Sequence, residues 1–459
     1  MTLGLRTRLF AIWRRVLSLS WPVMAEQVLR TLMRTTDIVV TGLFSPAAVA
    51  AIGLADLYAR LPLRIGLGLG GGAIALSSQD TGSDATANRD EAVTQAILIG
   101  ALSGIPFVLF GLFLGEFAIS VLGAPPEVAR MGGTYLAIIF ATAPARHVAL
   151  VGARSLQGTG DTRTPMYVNV VSNLLNIGGT VALGLGVGPF PRLHIVGVGI
   201  ATAFGNLFTA LALVAAIRWD LTEASFARPT DTVIARQLLV VSAPRIAEGL
   251  AATVAEFPFN SILLGFGTEV NAAYQIGRRM YQQVTGPLSR GYNVAASVVV
   301  GQALGAGDPG RARFGGWATG ALALLTVGSI GVALFFGADW FVEFFTDDAA
   351  TLGYAADFAR VYAVSAPFLA LFVVFSGSLQ GGSDTRTPFI ARTTGMFGFM
   401  VGFAWLVGVH LDYGVVGVYA AIFLYYVWSL AVVAAGFRWG GWAGRAAEMM
   451  EERGSVEEA

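Results

Sequence analysis

Leu-Gln-Gly-Thr-Gly-Asp-Thr-Arg-Thr-Pro occupies residues 156–165, and Leu-Gln-Gly-Gly-Ser-Asp-Thr-Arg-Thr-Pro occupies residues 379–388, so the chain contains this decapeptide twice, 223 positions apart. Each copy follows one long apolar segment and precedes another. Gly, Asp and Thr favour a turn, and proline suits the first turn of a helix because the N–H that it lacks would have no partner there. The two decapeptides therefore predict two equivalent helix–turn–helix junctions.

Residues outside the decapeptides repeat at nearly the same distance. Four pairs correspond in this way: Gln79 and Gln302, Pro144 and Pro367, Pro22 and Pro244, and Glu26 and Glu248. We infer that one structural unit is encoded twice, with the join near residues 218–236.

The composition is that of a membrane protein. Apolar residues make up 55% of the chain and charged residues 13%, and the mean hydropathy is +0.66, whereas about a quarter of an average soluble chain is charged. The chain has no cysteine and no lysine, which excludes disulfides, thiolate metal sites and Schiff-base chemistry. Since the formal net charge is zero, we expect no nucleic-acid partner.

A transmembrane helix needs about 20 apolar residues, and twelve segments reach this length. The predicted spans are 16–43, 47–78, 92–122, 130–156, 165–187 and 194–217 in the first half, and 237–266, 270–302, 313–344, 354–380, 388–409 and 414–437 in the second. Parallel repeats with an even number of spans are related by an axis along the membrane normal. We therefore expect an all-α integral membrane protein with twelve transmembrane helices in two pseudo-symmetric six-helix lobes around a central cavity.

The distribution of arginine predicts the orientation, since cytoplasmic loops retain the positive residues. If both termini are cytoplasmic, Arg192 is the exception among the short external loops. The predicted parts are then a cytoplasmic N-terminal segment (1–15), an N-lobe (16–217), a cytoplasmic linker (218–236), a C-lobe (237–437) and a loose acidic cytoplasmic tail (438–459). We expect a monomer that spans the plasma membrane, with the lipid bilayer and small-molecule substrates as its partners.

Polar residues within the predicted spans form stripes. One stripe of the first span, about 80° wide at roughly 100° per residue, consists of Glu26, Arg30, Arg34, Asp37 and Thr41. A stripe of the fifth span, about 60° wide, consists of Asn169, Asn173, Asn176 and Thr180. A charge at the bilayer centre costs about 2.5–3.5 kcal/mol, so such residues face the protein interior and generally have a function.

Structural roles are the alternative for each stripe. Glu26/Arg30 and Asp56/Arg60 have the i,i+4 spacing of ion pairs, and the asparagines could hydrogen-bond between helices. Asp37 could likewise pair with a neighbouring arginine, although its depth in the span favours a coupling role.

Glycines are concentrated in residues 66–72, which read Gly-Leu-Gly-Leu-Gly-Gly-Gly and contain a formal GxGxxG motif. The strand and the βαβ context of a dinucleotide site are lacking, so small residues that let helices approach closely explain the stretch better. No metalloprotease, hydrolase or phosphate-loop motif occurs in the sequence. We expect neither an enzyme nor a cofactor.

The duplicated decapeptide, the repeat of six spans and the first-span pattern Trp21-Pro22, Glu26-Gln27 and Asp37 resemble the multidrug and toxic compound extrusion (MATE) transporters, most nearly their prokaryotic DinF-like branch. The resemblance implies export of organic, often cationic, compounds in exchange for H⁺ or Na⁺. It also implies a V-shaped cavity between two lobes that rock to alternate access.

The resemblance implies a cation-coupling site in the N-lobe. Asp37, Asn176 and Thr202 match three residues of the family's site, whereas Thr180 stands where the family has an aspartate. Together with Asn173, these are the predicted coupling residues. A single matched carboxylate favours H⁺, because Na⁺ prefers more than one charged oxygen, but Na⁺ at Asp37, Asn176 and Thr202 stays an alternative.

Further residues at membrane depth are predicted to line the substrate cavity: Arg34, Asp56, Arg60, Glu256, Asn260, Arg278 and Gln282. We expect protonation of Asp37 from outside to release a cationic substrate. Arginines outnumber acids at this depth, which leaves a second hypothesis, an exporter or flippase of anionic metabolites or lipid-linked substrates with an arginine-lined cavity. A passive channel is a third alternative.

Overall fold

The computed structural model describes residues 4–455, and every regular element in this range is helical. The N-lobe consists of α1 (Leu5–Gly42), α2 (Pro46–Gly82), α3 (Thr86–Val121), α4 (Pro126–Ala141), α5 (Ala143–Thr159), α6 (Arg163–Leu185) and α7 (His194–Arg218). Helices α4 and α5 are bent by 49° at their junction, where Pro144 lies in the first turn of α5, and together they form one span.

The C-lobe repeats this order. It consists of α8 (Thr232–Gly265), α9 (Thr268–Gly305), α10 (Pro309–Val342), α11 (Ala349–Gly381), α12 (Arg386–Thr394) and α13 (Val415–Trp439). A π-helix (Gly395–His410) continues α12 into the second half of its span. The two lobes thus contain the twelve predicted spans.

Ten of the twelve spans in the described range, counting the bent pair as one, are long and apolar enough to cross a membrane. The other two, α1 and α9, carry several charged residues each. Large apolar side chains point outward from α3 and α10, where Phe113 is 77% and Phe336 80% exposed. Such outward apolar surface fits lipid, so the protein is a multi-pass membrane protein.

Both decapeptides form the predicted turn. In the first, Gly160 adopts a left-handed conformation with φ +102°, and the Asp161 carboxylate accepts the backbone N–H of Thr164 at 2.9 Å to begin α6. In the second, Ser383 is left-handed with φ +59°, and Asp384 accepts from Thr387 at the start of α12. The two turns lie at the same end of the bundle, which we name the decapeptide end.

The lobes approach most closely at the decapeptide end. A Cβ placed on Gly82 of α2 would lie 2.2 Å from the carbonyl oxygen of Gln302, and one placed on Gly305 of α9 would lie 2.0 Å from that of Gln79. Neither distance leaves room for a side chain, so these equivalent glycines allow α2 and α9 to cross in backbone contact.

The glycines of residues 66–72 serve helix packing, as the sequence predicts. A Cβ on Gly70 would lie 2.6 Å from the Arg154 side chain of α5, and one on Gly68 would lie 2.3 Å from Ile246 of α8. Helix α2 is therefore pressed between its own lobe and the C-lobe.

The expectation of a loose acidic tail is wrong for residues 442–455. They form helix α14 (Trp442–Glu452) and its C-terminal turn, and Trp442, Ala446 and Met450 are buried in a C-lobe cluster. These three residues are spaced by four, so they share one face of the helix. The acidic composition concealed this apolar face.

Candidate coupling site and substrate cavity

The carboxylate of Asp37 lies on α1 and faces α6. The Thr180 hydroxyl, which is fully buried, donates a hydrogen bond to Asp37 Oδ1 at 2.9 Å. Asp37 is half-buried. The structure thereby brings together two of the predicted coupling residues from two helices.

Asn176 lies one turn before Thr180 and connects α6 to α7. Its Nδ2 donates to the Thr202 hydroxyl at 3.2 Å, while its Oδ1 and the Nδ2 of Asn173 are buried without a partner in the described range. Unpaired buried amide groups are costly. The Asn173 nitrogen is therefore available to donate a hydrogen bond at this site, and the Asn176 oxygen is available to accept one or to bind an ion.

Of the two ion pairs that the i,i+4 spacing predicts, one is confirmed and the other is wrong. Glu26 and Arg30 form the predicted ion pair at 2.9 Å. The predicted Asp56/Arg60 pair is wrong, because Arg60 reaches across to Glu256 of the C-lobe at 3.4 Å instead. Asp37 makes no ion pair with an arginine of the described range, since Thr180 holds its carboxylate.

A cavity of about 210 Å³ lies between the lobes. Its charged lining residues come from five helices: Arg64 of α2, Arg154 of α5, Arg245 and Glu248 of α8, Arg290 of α9 and Arg392 of α12. Five guanidinium groups face one carboxylate. The lining is therefore strongly positive.

None of the seven predicted cavity residues lines this cavity. Three of them form a separate ion cluster, in which Glu256 accepts from Arg278 at 2.6 Å and from Arg60 at 3.4 Å. Asn260 donates to the backbone oxygen of Glu256. Arg34 and Gln282 are exposed and Asp56 is half-buried. Of these seven residues, Arg60 and Glu256 meet each other between the lobes, outside the 210 Å³ cavity.

Glu248 neutralises two of the five arginines in the cavity. It is 3% exposed and accepts from Arg245 at 2.7 Å and from Arg392 at 3.2 Å. Arg64, Arg154 and Arg290 have no carboxylate partner within residues 4–455. The surplus positive charge of the cavity therefore belongs to these three side chains.

Reciprocal hydrogen bonds close the decapeptide end. Gln79 Nε2 donates to the Gly381 carbonyl of the C-lobe at 2.7 Å, and Gln302 Nε2 donates to the Gly158 carbonyl of the N-lobe at 3.0 Å. Both acceptors belong to the decapeptides. Farther from the decapeptides, Arg60 of the N-lobe and Glu256 of the C-lobe form another lobe-to-lobe contact, at 3.4 Å.

A model of the MatE family matches residues 22–182 and again residues 244–406. The chain belongs to the multidrug and toxic compound extrusion (MATE) family. It is thus a membrane transporter rather than an enzyme, and the two matched stretches fall in the two lobes that the decapeptides predict.

Similar proteins include a probable multidrug resistance protein NorM from Bradyrhizobium diazoefficiens, 29% identical over 419 residues that cover 88% of each chain. A crystal structure of a MATE protein in its straight conformation superposes with a TM-score of 0.85 at 20% identity, over 95% of this chain and 96% of that one. A MOP superfamily transporter from Pyrococcus furiosus superposes with a TM-score of 0.82 at 20% identity, over 95% and 96%. It is described by the words "reverse polarity of binding pocket suggests different function". These structures show that the MATE fold is shared.

Sequence reasoning missed two groups of residues in this MATE protein. Arg392 falls within the predicted span 388–409 but was not named as a cavity residue, although it lines the cavity. Arg453 in the tail is 3% exposed and contacts Asp80. A signal existed for the second group, because Trp442, Ala446 and Met450 repeat at helical spacing.

Proposed function

We propose that this MATE protein exports small organic compounds across the plasma membrane in exchange for inward-moving H⁺, with two lobes that alternately expose the cavity. The observation that carries this proposal is the Asp37–Thr180 contact beside the Asn176–Thr202 contact in the N-lobe. An acid held by a neutral hydroxyl is free to bind and release a proton, since no arginine neutralises it.

The oxygen set at Asp37 supports H⁺ over Na⁺. Na⁺ and other hard cations take several oxygen ligands and favour charged ones. Asp37 is the single carboxylate of the predicted coupling set, whose other members are asparagines and threonines. A proton needs only the one carboxylate.

Coupling between proton and cargo acts through conformation. Asp37 is not among the residues that line the 210 Å³ cavity, which supports coupling through conformation over direct competition of proton and cargo for one position. Antiport then requires that protonation and cargo favour opposite orientations of the lobes, because a ligand shifts a conformational equilibrium only through its differential affinity.

The arginines support the assignment of the decapeptide end to the cytoplasm, with both termini on that side. Arg163 and Arg386 lie at this end, at the start of α6 and α12. With this assignment, the end at which hydrogen bonds hold the two lobes together faces the cytoplasm.

The test is transport in proteoliposomes with ΔpH and ΔNa⁺ imposed separately. We expect uptake of a fluorescent substrate into inside-out-oriented vesicles to follow ΔpH and to ignore ΔNa⁺. Transport driven by ΔNa⁺ at constant pH would contradict H⁺ coupling, and conductance without substrate would favour a channel. The positive lining of the cavity favours a second candidate cargo, an anionic compound.

A further inference from the structure

The cavity between the lobes carries more positive charge than its own acid can neutralise. Arg64, Arg154 and Arg290 come from three different helices and line the same 210 Å³ space. Taking an ion out of water without a partner costs several kcal/mol, so buried charges are normally paired. The three guanidinium groups are half-buried and have no carboxylate partner in the described range, so an anion that enters the cavity meets their uncompensated positive charge.

Several hydrogen-bonding atoms around the same cavity also lack partners. The Ser289 and Ser376 hydroxyls, Gln380 Oε1 and the Nε atoms of Arg64 and Arg392 line the cavity and are buried without a hydrogen-bond partner in the described range. Native structures leave few such groups unsatisfied. Four of these five groups can donate a hydrogen bond, which matches a ligand rich in acceptor oxygens.

We propose that this cavity binds the multiply charged oxyanion group of an organic cargo, a phosphate or a pair of carboxylates. Arginine binds both groups through two parallel hydrogen bonds. The volume of 210 Å³ equals that of about seven water molecules at about 30 Å³ each, which fits the charged group and leaves the remainder of the cargo in the opening between the lobes. Glu248 holds Arg245 and Arg392 in place through its two ion pairs.

This inference rests on the proposed transport function but not on its coupling ion. The probes are 1-naphthyl phosphate and a naphthyl trimethylammonium compound of similar size, with binding measured by calorimetry on the detergent-solubilised full chain. We expect the phosphate to bind and the ammonium compound to bind at least tenfold more weakly. Arg154→Gln and Arg290→Gln should each weaken phosphate binding about 10–100-fold, the range for loss of a charge-assisted bond.

Arg279→Gln is the matched control, because Arg279 lies on α9 beside Arg278 but is exposed and does not line the cavity. A second measurement, competition by phosphatidic acid in nanodiscs, distinguishes a lipid headgroup from a soluble phosphate compound. Stronger binding of the ammonium probe, or equal binding by wild type and both cavity variants, would overturn the anion site. ΔpH-driven transport of a cation would survive that result, so the two proposals fail separately.

A different observation concerns the C-terminal tail. Arg453 follows α14, and its side chain is 0% exposed, as is that of Asp80 on α2. Arg453 Nη2 lies 2.6 Å from Asp80 Oδ1 and 3.0 Å from Gln79 Oε1. Its Nη1 donates to Gln237 Oε1 of α8 at 3.1 Å. One tail residue thus connects an N-lobe helix to a C-lobe helix.

Arg453 also determines which way the Gln79 amide points. A guanidinium group only donates, so Gln79 must present Oε1 to Arg453 and Nε2 to the C-lobe. The amide nitrogen then donates to Gly381 at 2.7 Å and to Ser383 at 3.0 Å. Meanwhile the apolar face of α14 is buried against the C-lobe. We infer that the tail is a strap that holds the decapeptide end closed and must undock before the lobes part there.

Double electron–electron resonance, which measures the distance between two spin labels, tests the strap in the full chain. The chain has no native cysteine that would also be labelled. Labels at Arg163→Cys and Arg386→Cys report the separation of the lobes at the decapeptide end. We expect Arg453→Met to add a population at longer distance, and Glu451→Gln, an exposed change on the same helix, to leave the distribution unchanged. Because Arg453→Met leaves Asp80 unpaired, the double variant Arg453→Met/Asp80→Asn removes both charges and should give the same lengthening. An unaltered distribution in the double variant would overturn the strap.

Discussion

Gln79 and Gln302 make the same hydrogen bond in opposite directions across the lobe interface. Gln79 donates from the N-lobe to the second decapeptide at 2.7 Å, and Gln302 donates from the C-lobe to the first at 3.0 Å. Each amide oxygen accepts from an arginine near one end of the chain, Arg453 for Gln79 and Arg15 for Gln302. The internal repeat therefore places two equivalent hydrogen bonds between the lobes at the decapeptide end. Arg15 and Arg453, near the two ends of the chain, hydrogen-bond to the same two glutamines.

Loss of either glutamine should favour opening of the decapeptide end. Gln79→Leu and Gln302→Leu each remove the hydrogen bond to a decapeptide carbonyl across the lobe interface and one acceptor of an arginine, at a cost of about 1–3 kcal/mol. A cysteine at Val373, which lines the cavity, should then react faster with a maleimide supplied from the decapeptide end. Equal labelling rates in wild type and both variants would argue against a closing role.

Side chains at the crossing of α2 and α9 should prevent closure. A Cβ at residue 82 would lie 2.2 Å from a backbone oxygen, which cannot move aside as a side chain can. Gly82→Ala should therefore shift the protein toward a form open at the decapeptide end, as measured by spin-label distances. Gly178→Ala is the control, since nothing lies within 4 Å of the added Cβ, and it should leave the distances as they are.

The hydroxyl of Thr180 should matter more than its shape. Thr180→Val keeps the volume of the side chain but removes the donor to Asp37, so we expect ΔpH-driven transport to fall about tenfold, as for loss of one hydrogen bond to a charged group. Thr180→Ser retains the donor and should transport like wild type. Equal losses in both variants would indicate a packing role instead.

Removal of the acid in the cavity should destabilise the protein. Glu248→Gln leaves Arg245 and Arg392 without their carboxylate, and breaking a buried ion pair on one side costs about 3–5 kcal/mol. The thermal midpoint should fall, and 1-naphthyl phosphate should raise it by more than in wild type, because a bound anion replaces the missing charge. An unchanged midpoint would mean that the arginines are solvated in the absence of ligand.

The tail should stay docked at neutral and mildly acidic pH. Hydrogen bonds from Gln237 and Arg236 hold the pKa of the Glu452 carboxyl below its usual value. A lowered pKa in the docked state means that this contact stabilises docking fully above the ordinary pKa of about 4.3 and loses its effect as the pH falls below it. Proteolysis of the tail should therefore be constant between about pH 5 and 8. A rise in cleavage within that window would require another titrating group.

The repeat, the twelve spans and the family could be predicted because they depend on local and periodic signals. The decapeptide determines its own turn through Gly160 and Asp161, whatever surrounds it. Asp37 and Thr180 could be paired because family resemblance placed both in one site. In each case the sequence contains the contact partners or their pattern.

The cavity could not be predicted because it depends on how two lobes meet. Asp56 and Arg60 have ideal ion-pair spacing, yet Arg60 pairs with Glu256, 196 positions away. Arg64 lies one turn further along α2 and faces the cavity instead. Arg60 and Arg64 are only one helical turn apart, yet one pairs with Glu256 and the other lines the cavity. The rotation of α2 relative to the opposite lobe determines which residue does which.

H⁺-coupled export depends on Asp37 as the proton carrier. Transport by Asp37→Asn in proteoliposomes tests this role most directly. The variant should load substrate by counterflow, which needs no net proton movement, at a rate near that of wild type. It should show no accumulation under an imposed ΔpH. Undiminished ΔpH-driven accumulation by Asp37→Asn, with correctly folded protein, would contradict the account.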